Sequence, residues 1–287
     1  MIIKKHKNRN EYVLTSDGIW VRNFCKQDVS SIDVNSFLNE EEYHCILNNE
    51  FENNKLNFNQ SYQTIQFPNI IIVSDGYDFI NKQKILSKLP YKEVAIFAVN
   101  GALRDWKLVG KNCTNDMKRS IDWFIVNNPY PECKKFLPKN HSYYPRCLAS
   151  SRTNSEFIKQ YQGDVVLYQP SSDENYSGVF YGIEKSIDDY RNPICAAISL
   201  AYRFGVKKLG LFCCDNSFID ERPSAEKLDN GLWCYPQHKI SQRVIDANLY
   251  WLSQNNIKIF DCSSGEKYEH ASYISIDEIS IFFKDDK

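Results

Sequence analysis

An open, mostly parallel α/β sheet with Rossmann-like layers is the fold class this sequence predicts, and three observations predict it. Short apolar runs such as NIIIV (Asn69 to Val73) are stopped abruptly by turn residues, here Ser74-Asp75-Gly76. A wholly apolar run of that length marks a strand buried on both faces, as in parallel sheets. Such runs alternate with stretches of helical periodicity, the order expected of βαβ units. The chain has 287 residues and is 43% hydrophobic, enough to bury a large core without disulfide staples.

Taken in order, residues 11 to 24 hold two β-prone runs around Ser16-Asp17-Gly18, a hairpin signal. The stretch to about Gln60 is acidic and Asn-rich, with Leu38, Tyr43, Ile46 and Leu47 near helical spacing. Residues 1–65 are therefore expected to form a small accessory region of hairpin and helix, and residues 66–287 the Rossmann-like domain. After the first buried strand, a helix is expected through Phe79 and Ile85 to Leu89. EVAIFAVN (Glu93 to Asn100) supplies the second strand, Trp123 to Val126 the third and Asp164 to Tyr168 another. Asn140 to Ser151 reads as irregular, with Cys147-Leu148-Ala149 as a short strand within it. PICAAISLAYRFG then predicts a helix with Pro193 at its first position and Gly205 as its stop. Leu209 to Cys213 follows as a strand with Asp215 just beyond it. Ile240, Val244, Ala247 and Trp251 form the apolar stripe of a helix ending at Asn255-Asn256. Ile257 to Phe260 is the last buried strand.

Composition narrows the function classes. Lys plus Arg number 35 against 36 Asp plus Glu, so the overall field does not hold this protein to nucleic acid or membrane. Lys107, Lys111, Lys118 and Arg119 read as a solvated surface. No signal-peptide h-region follows MIIKK and no apolar run is long enough to insert in a membrane, so a cytoplasmic location is expected. The ten cysteines are scattered, as small core residues would be in a reducing compartment, and Cys213-Cys214 lacks zinc-site spacing. Abundant Asn, Lys, Ile and Tyr resemble the usage of an AT-rich genome, a bacterium or its phage.

In an open parallel sheet the ligand crevice lies beyond the carboxyl ends of the strands. The residues expected there are Ser74, Asp75 and Gly76; Asn100 and Gly101; Asn127 and Asn128; Gln169; Asp215 and Asn216; and Ser263, Ser264 and Gly265. The Ser74-Asp75-Gly76 turn offers backbone N–H groups for a phosphate, or a carboxylate for a cation or sugar hydroxyl, although no dinucleotide fingerprint or P-loop is present. Asn100 and Asn128 are suited to a base or ribose, because an amide both donates and accepts. Asp215 is delivered by an apolar strand to the crevice. His238 precedes the last long helix and has the chemistry of a proton acceptor near neutral pH. His141 competes with it, in the company of Tyr143, Tyr144 and Arg146.

PICAAISLAYRFGVKKLGLFCCDNSF resembles the helix, glycine turn, strand and Asp of archaeal 6-hydroxymethylpterin diphosphokinase-like proteins. It also resembles the corresponding segment of bacterial sialyltransferases that cap lipooligosaccharides. The latter likeness extends to Asn100, Asn128-Pro129 and Tyr235-Pro236-Gln237-His238. It is clearest from 193 to 265 and leaves the first 65 residues aside. The resemblance implies transfer of a sugar from a nucleotide-sugar donor to a hydroxyl acceptor, whether a glycan, a small molecule or modified nucleic acid. The two Asn would then touch the nucleotide, His238 would be the general base, and Arg146, Tyr143 or Tyr144 would stabilise the leaving phosphate. The alternatives are an ATP-dependent diphosphokinase acting on a pterin-like alcohol, with magnesium on Asp75 and Asp215, and a noncatalytic nucleotide-binding protein. A homo-oligomer is compatible with each. Both families open with G-x-G-P-S, where this chain has VSDGYD (Val73 to Asp78).

Overall fold

The computed structural model describes residues 66–77, 79–90, 92–108, 119–138, 144–170, 192–215, 225–265 and 267–283, with short stretches elsewhere. In the N-terminal region β1 (Ile3–Lys4), β2 (Tyr12–Leu14) and β3 (Trp20–Arg22) form a small antiparallel sheet. The pairing of β2 with β3 matches the hairpin expected around Asp17-Gly18, whose turn lies outside the described residues.

The main sheet begins with β4 (Asn69–Val73), followed by α1 (Phe79–Lys82), β5 (Val94–Val99), β6 (Trp123–Val126) and β7 (Arg146–Ser150). Then come α2 (Ser155–Gln160), β8 (Val165–Pro170), β9 (Ser186–Ile187), α3 (Pro193–Arg203) and β10 (Lys208–Phe212). A two-stranded ribbon, β11 (Glu226–Lys227) with β12 (Trp233–Cys234), precedes α4 (Pro236–Gln254). The chain closes with β13 (Lys258–Asp261), β14 (Ser272–Tyr273) and α5 (Ile279–Phe282). Nine strands stand in the order β14-β13-β10-β4-β5-β6-β7-β8-β9, and every neighbouring pair is parallel. This is the open Rossmann-like sheet expected from the apolar runs.

Both faces are covered, which is why the strands carry no polar alternation. Ile70 and Ile72 enter one core with α3 and α4, while Ile71 and Val73 enter the other with α1 and Trp106. Ile70, Ile71 and Ile72 have no exposed surface, and each such side chain contributes roughly 1.5–3 kcal/mol relative to exposure. The crossover helix α3 lies over β4, β5 and β6 and packs on α4. Asn192 caps it by accepting from the Ile194 N–H at 2.8 Å, with Pro193 in the first turn as its ring geometry favours.

Three expectations change and two strands are new. The helix expected to reach Leu89 is α1 alone, continued by a 3-10 turn (Gln83–Lys88). There the buried Gln83 amide donates to Asp105 O and accepts from Lys107 N–H. The last long helix starts at Pro236 rather than Ile240, so His238 stands in its first turn. The edge strands β9 and β14 are two residues each, too short for a periodicity to register. Arg119, expected on the surface, is 1% exposed, donates to Val94 O, and its own carbonyl accepts from Trp106 Nε1. Eight cysteines among the described residues are free thiols, all but Cys45 buried. No helix among the described residues is long and apolar enough to cross a membrane.

Candidate functional site

From β4 the chain lays down β5 to β9 successively on one side, then returns to place β10 on the other. The carboxyl ends of β4 and β10 therefore flank the topological switch point, where open α/β sheets bind their ligands. The ladder continues into the loops, with Ser74 N–H donating to Phe212 O at 3.0 Å and Gly76 N–H to Cys213 O at 3.1 Å. Those donors are engaged, so the 74–76 turn does not hold them out to a phosphate as the sequence reading expected. Cys213 (φ 53°) and Asn100 (φ 52°) both adopt left-handed backbone at strand ends on this edge. Such strain in a non-glycine residue tends to mark a functional segment.

Asp215 lies beneath this edge with no exposed surface. Its Oδ2 accepts from Ser217 Oγ at 2.8 Å and its carboxylate from the Gly265 N–H. Its backbone carbonyl accepts from Gln242 Nε2 on α4, also at 2.8 Å. A Cβ at Gly76 would collide with Cys213 O and Asp215 Oδ1, and one at Gly265 with Asp215 Oδ2 and Ser217 Oγ. Two glycine-bearing loops, after β4 and after β13, thus close on the two oxygens of one buried carboxylate. Asp215 is a staple under the floor of the crevice rather than a group at its mouth. Burial pushes its carboxyl above the ordinary range, with the Ser217 and Gly265 bonds opposing, and Oδ1 has no hydrogen-bond partner among the described residues. Asp261 beside it is pushed up by burial to about 6. Ser263 Oγ accepts from Cys214 N–H at 3.0 Å, and Tyr268 Oη donates to Cys214 O at 2.8 Å.

Asp75 stands above that floor. It is exposed to solvent, yet protein encloses it closely enough that desolvation raises its carboxyl above the ordinary range. Its own N–H, the Arg104 guanidinium and the Gly101 N–H oppose the shift. A Cβ at Gly101 would strike Asp75 Oδ2. Arg104 is held by Asp105, to which Nε donates at 2.8 Å alongside Nη2. On the other side, half-buried Lys82 at the end of α1 donates to Ser264 Oγ and lies 5.7 Å from the Tyr77 ring centroid. The sequence reading passed over Lys82, inside a segment read as helix, and Arg104, in a stretch after the second strand to which it gave no element.

His238 is half-buried, one helical turn before Gln242 on α4 and edge-on to Tyr235 at 5.4 Å. Because Gln242 grips the carbonyl of Asp215, this face of α4 is turned toward the switch point. At the end of β6, Asn128 Oδ1 accepts from Tyr130 N–H at 2.8 Å, an Asx turn. Asn127 Nδ2 is buried without a partner among the described residues. Beyond β7 lies the buried polar loop Ser150-Ser151-Arg152-Thr153-Asn154, missed because 140–151 read as irregular. The N-terminal region reaches this end of the sheet. Asn49 Nδ2 donates to Pro129 O at 2.9 Å, and Asn53 Nδ2 donates to Ser151 O and Thr153 O at 2.9 and 2.7 Å.

The structure does not bring Arg146 and Tyr144 to the crevice. Arg146 opens β7, so it sits at the amino edge of a parallel sheet, its guanidinium 4.9 Å from the Trp123 ring centroid. Tyr144 packs edge-on against Tyr161. Tyr143, His141 and Asn216 lie outside the described residues. Asp246, Glu269 and His270 each place a ligand-capable atom within 4.8 Å of the others. Both oxygens of Asp246 already contact His270, at its N–H (3.0 Å) and its Nδ1 (2.6 Å).

No protein-family model and no curated protein sequence matches the chain. Its fold is similar to that of the MAf glycosyltransferase from Magnetospirillum magneticum AMB-1, with a TM-score of 0.57 and 15% sequence identity. The match covers 82% of this chain and 38% of that larger one, so this chain spans well under half of its structural relative. The likeness is a distant one, of fold, to a glycosyltransferase.

Proposed function

We propose that this protein is a glycosyltransferase that moves a sugar from a nucleotide-sugar donor to a hydroxyl acceptor, a glycan or a small molecule. The observation that carries this reading is the gathering of polar strand-end residues at the switch point, in a fold similar to that of a glycosyltransferase. Open parallel sheets bind their ligands beyond the strand ends at such a point. Asn100, Asn127 and Asn128 bind the nucleotide, and Asp75 orients a sugar or acceptor hydroxyl. In the transfer step His238 takes the proton of the acceptor hydroxyl, whose oxygen bonds to the anomeric carbon. The bond from that carbon to the phosphate oxygen breaks, and its electron pair leaves on the nucleotide. Asp215 holds the two glycine loops in register and does not touch substrate.

Diphosphoryl transfer with magnesium needs two carboxylates facing one ion. Asp75 is turned toward Gly101 and Arg104, while Asp215 has no exposed surface, with Oδ2 on Gly265 and Ser217 and Oδ1 covered by Gly76. A carboxylate closed off beneath the glycine loops supports glycosyl transfer over the diphosphokinase alternative, which needs Asp215 open to an ion.

Thermal unfolding with CMP, UDP, GDP, ADP and ATP, with and without magnesium, tests the reading. One nucleotide at a hundredfold excess over its Kd stabilises the folded chain by about 2.7 kcal/mol. The protein should then release that nucleotide from its sugar conjugate. Stabilisation by ATP plus magnesium alone would place the chain with the diphosphokinases instead.

A further inference from the structure

A departing nucleotide needs a positive or hydrogen-donating partner for its phosphate. The two sources that the sequence suggested are not at hand. The Ser74 and Gly76 N–H groups are bound to Phe212 O and Cys213 O, and Arg146 with Tyr144 is at the opposite edge of the sheet.

The other cations near the crevice are differently placed. Arg104 is held bidentately by Asp105, and Lys239 donates to Glu226 at 2.7 Å on the surface. Lys267 lies 3.6 Å over the Tyr273 ring. Arg152 is buried in the loop after β7, three strands from β4, which is roughly 14 Å at the spacing of strands.

Lys82 is different because of what it spans. It stands at the end of α1, beyond β4, and meets Ser264 in the loop after β13, joining elements whose strands have β10 between them and lie roughly 10 Å apart. Its partner loop is fixed from below. Ser263 is tied to Cys214 and Gly265 to Asp215, which leaves the Ser264 hydroxyl aimed at the ammonium. The Tyr77 ring flanks the same ammonium.

We infer that Lys82, with Ser264, binds the phosphate of the nucleotide at this crevice, in the place of the glycine-rich loop that the chain lacks. The inference rests on the nucleotide-sugar reading and adds a side to it. The phosphate lies over β10 and β13, and the sugar toward Asp75 and β5. A lysine acts there as a compact point charge, tolerant of a mono- or diphosphate, and Ser264 contributes a hydroxyl donor once the ammonium turns to the anion.

Calorimetric titration of the full chain with cytidine, uridine and guanosine beside CMP, UDP and GDP tests this. Lys82→Met should weaken the nucleotide that the wild type binds by about tenfold to a hundredfold, the range of one charge-assisted hydrogen bond. It should leave the matching nucleoside unchanged. Lys82→Arg should recover most of the loss, Lys239→Met should change nothing, and the salt dependence of nucleotide binding should shrink in Lys82→Met. Unchanged nucleotide affinity in Lys82→Met, with binding intact in the wild type, would overturn the Lys82 assignment alone. A wild type that binds none of these nucleotides would overturn the inference together with the reading beneath it.

Discussion

The staple formed by Asp215 predicts that two similar glycine substitutions behave differently when Asp215 is removed. In Gly265→Ala the new methyl meets only the side chains of Asp215 and Ser217. Overpacking of this kind costs roughly 1–3 kcal/mol, and displacing the carboxylate weakens bonds worth roughly 1.5–3 kcal/mol. A loss of about 3 kcal/mol is expected, or roughly 6–12 °C in Tm for a chain of this size. In an Asp215→Ala background only the Ser217 hydroxyl still crowds the methyl, and it can rotate into the space the carboxylate leaves, so the same substitution should cost about 1 kcal/mol, a coupling of about 2 kcal/mol. Gly76→Ala also meets the backbone carbonyl of Cys213, which no side-chain deletion removes. It should stay costly, at about 2–3 kcal/mol, in both backgrounds. Urea unfolding of the wild type and the five variants yields the full cycle. Equal costs of Gly265→Ala with and without Asp215 would refute the staple.

Asp261 provides a pH signature. Burial raises its folded pKa to about 6, against about 3.9 in the unfolded chain. Its contribution to stability is therefore complete below about pH 3.9 and lost as pH rises through about 6, a change of about 3 kcal/mol. Asp261→Asn should flatten that decline in unfolding experiments at pH 4 and 7, and parallel wild-type and variant curves would count against it. His238→Ala should lower transfer by about a hundredfold or more while leaving stability within about 0.5 kcal/mol. Full turnover in that variant would remove His238 from the reaction. Asn53→Ala strips donors from two buried carbonyls and should cost about 2 kcal/mol. Hydrogen exchange should quicken around residues 151 to 155, and unchanged exchange there would show that the N-terminal region does not hold that loop.

The strands that the sequence revealed are those whose burial is local knowledge. IIIV in β4 and VAIFAV in β5 are apolar at every position because both faces are covered, and their shortness and flanking turn residues mark them as strands. The two-residue edges β9 and β14 depend wholly on neighbours and leave no pattern. Arg146 misled for a related reason. A charge ahead of CLAS looks like loop, and only its pairing opposite Trp123 of β6 makes it the first residue of a strand, at the wrong edge for a ligand. Asp215 was legible as a strand-end carboxylate. Its burial was not, because the glycines that cover it come from loops distant in sequence, at Gly76 and Gly265. Lys82 was hidden in the same way, since its meaning comes from Ser264.

The loop after β4 shows how the departure from a glycine-rich sequence and the geometry of the crevice belong together. Gly76 is the position that the packing cannot give up, because its Cα abuts Cys213 O and Asp215. Its N–H and that of Ser74 extend the ladder to β10, so the turn is ordered by the sheet rather than by a ligand. The residue between them then need not be small or neutral, and here it is Asp75. A carboxylate at that point repels phosphate and accepts hydroxyls. On the reading proposed above, it therefore sets the direction of the donor, with phosphate on the Lys82 side of Gly76 and sugar on the Asp75 side. The crowding that raises the solvent-accessible Asp75 carboxyl makes its charge costly, a cost that Arg104 offsets in part. A hydroxyl-bearing ligand that hydrogen-bonds to Asp75 relieves that cost only in the orientation that turns the phosphate away.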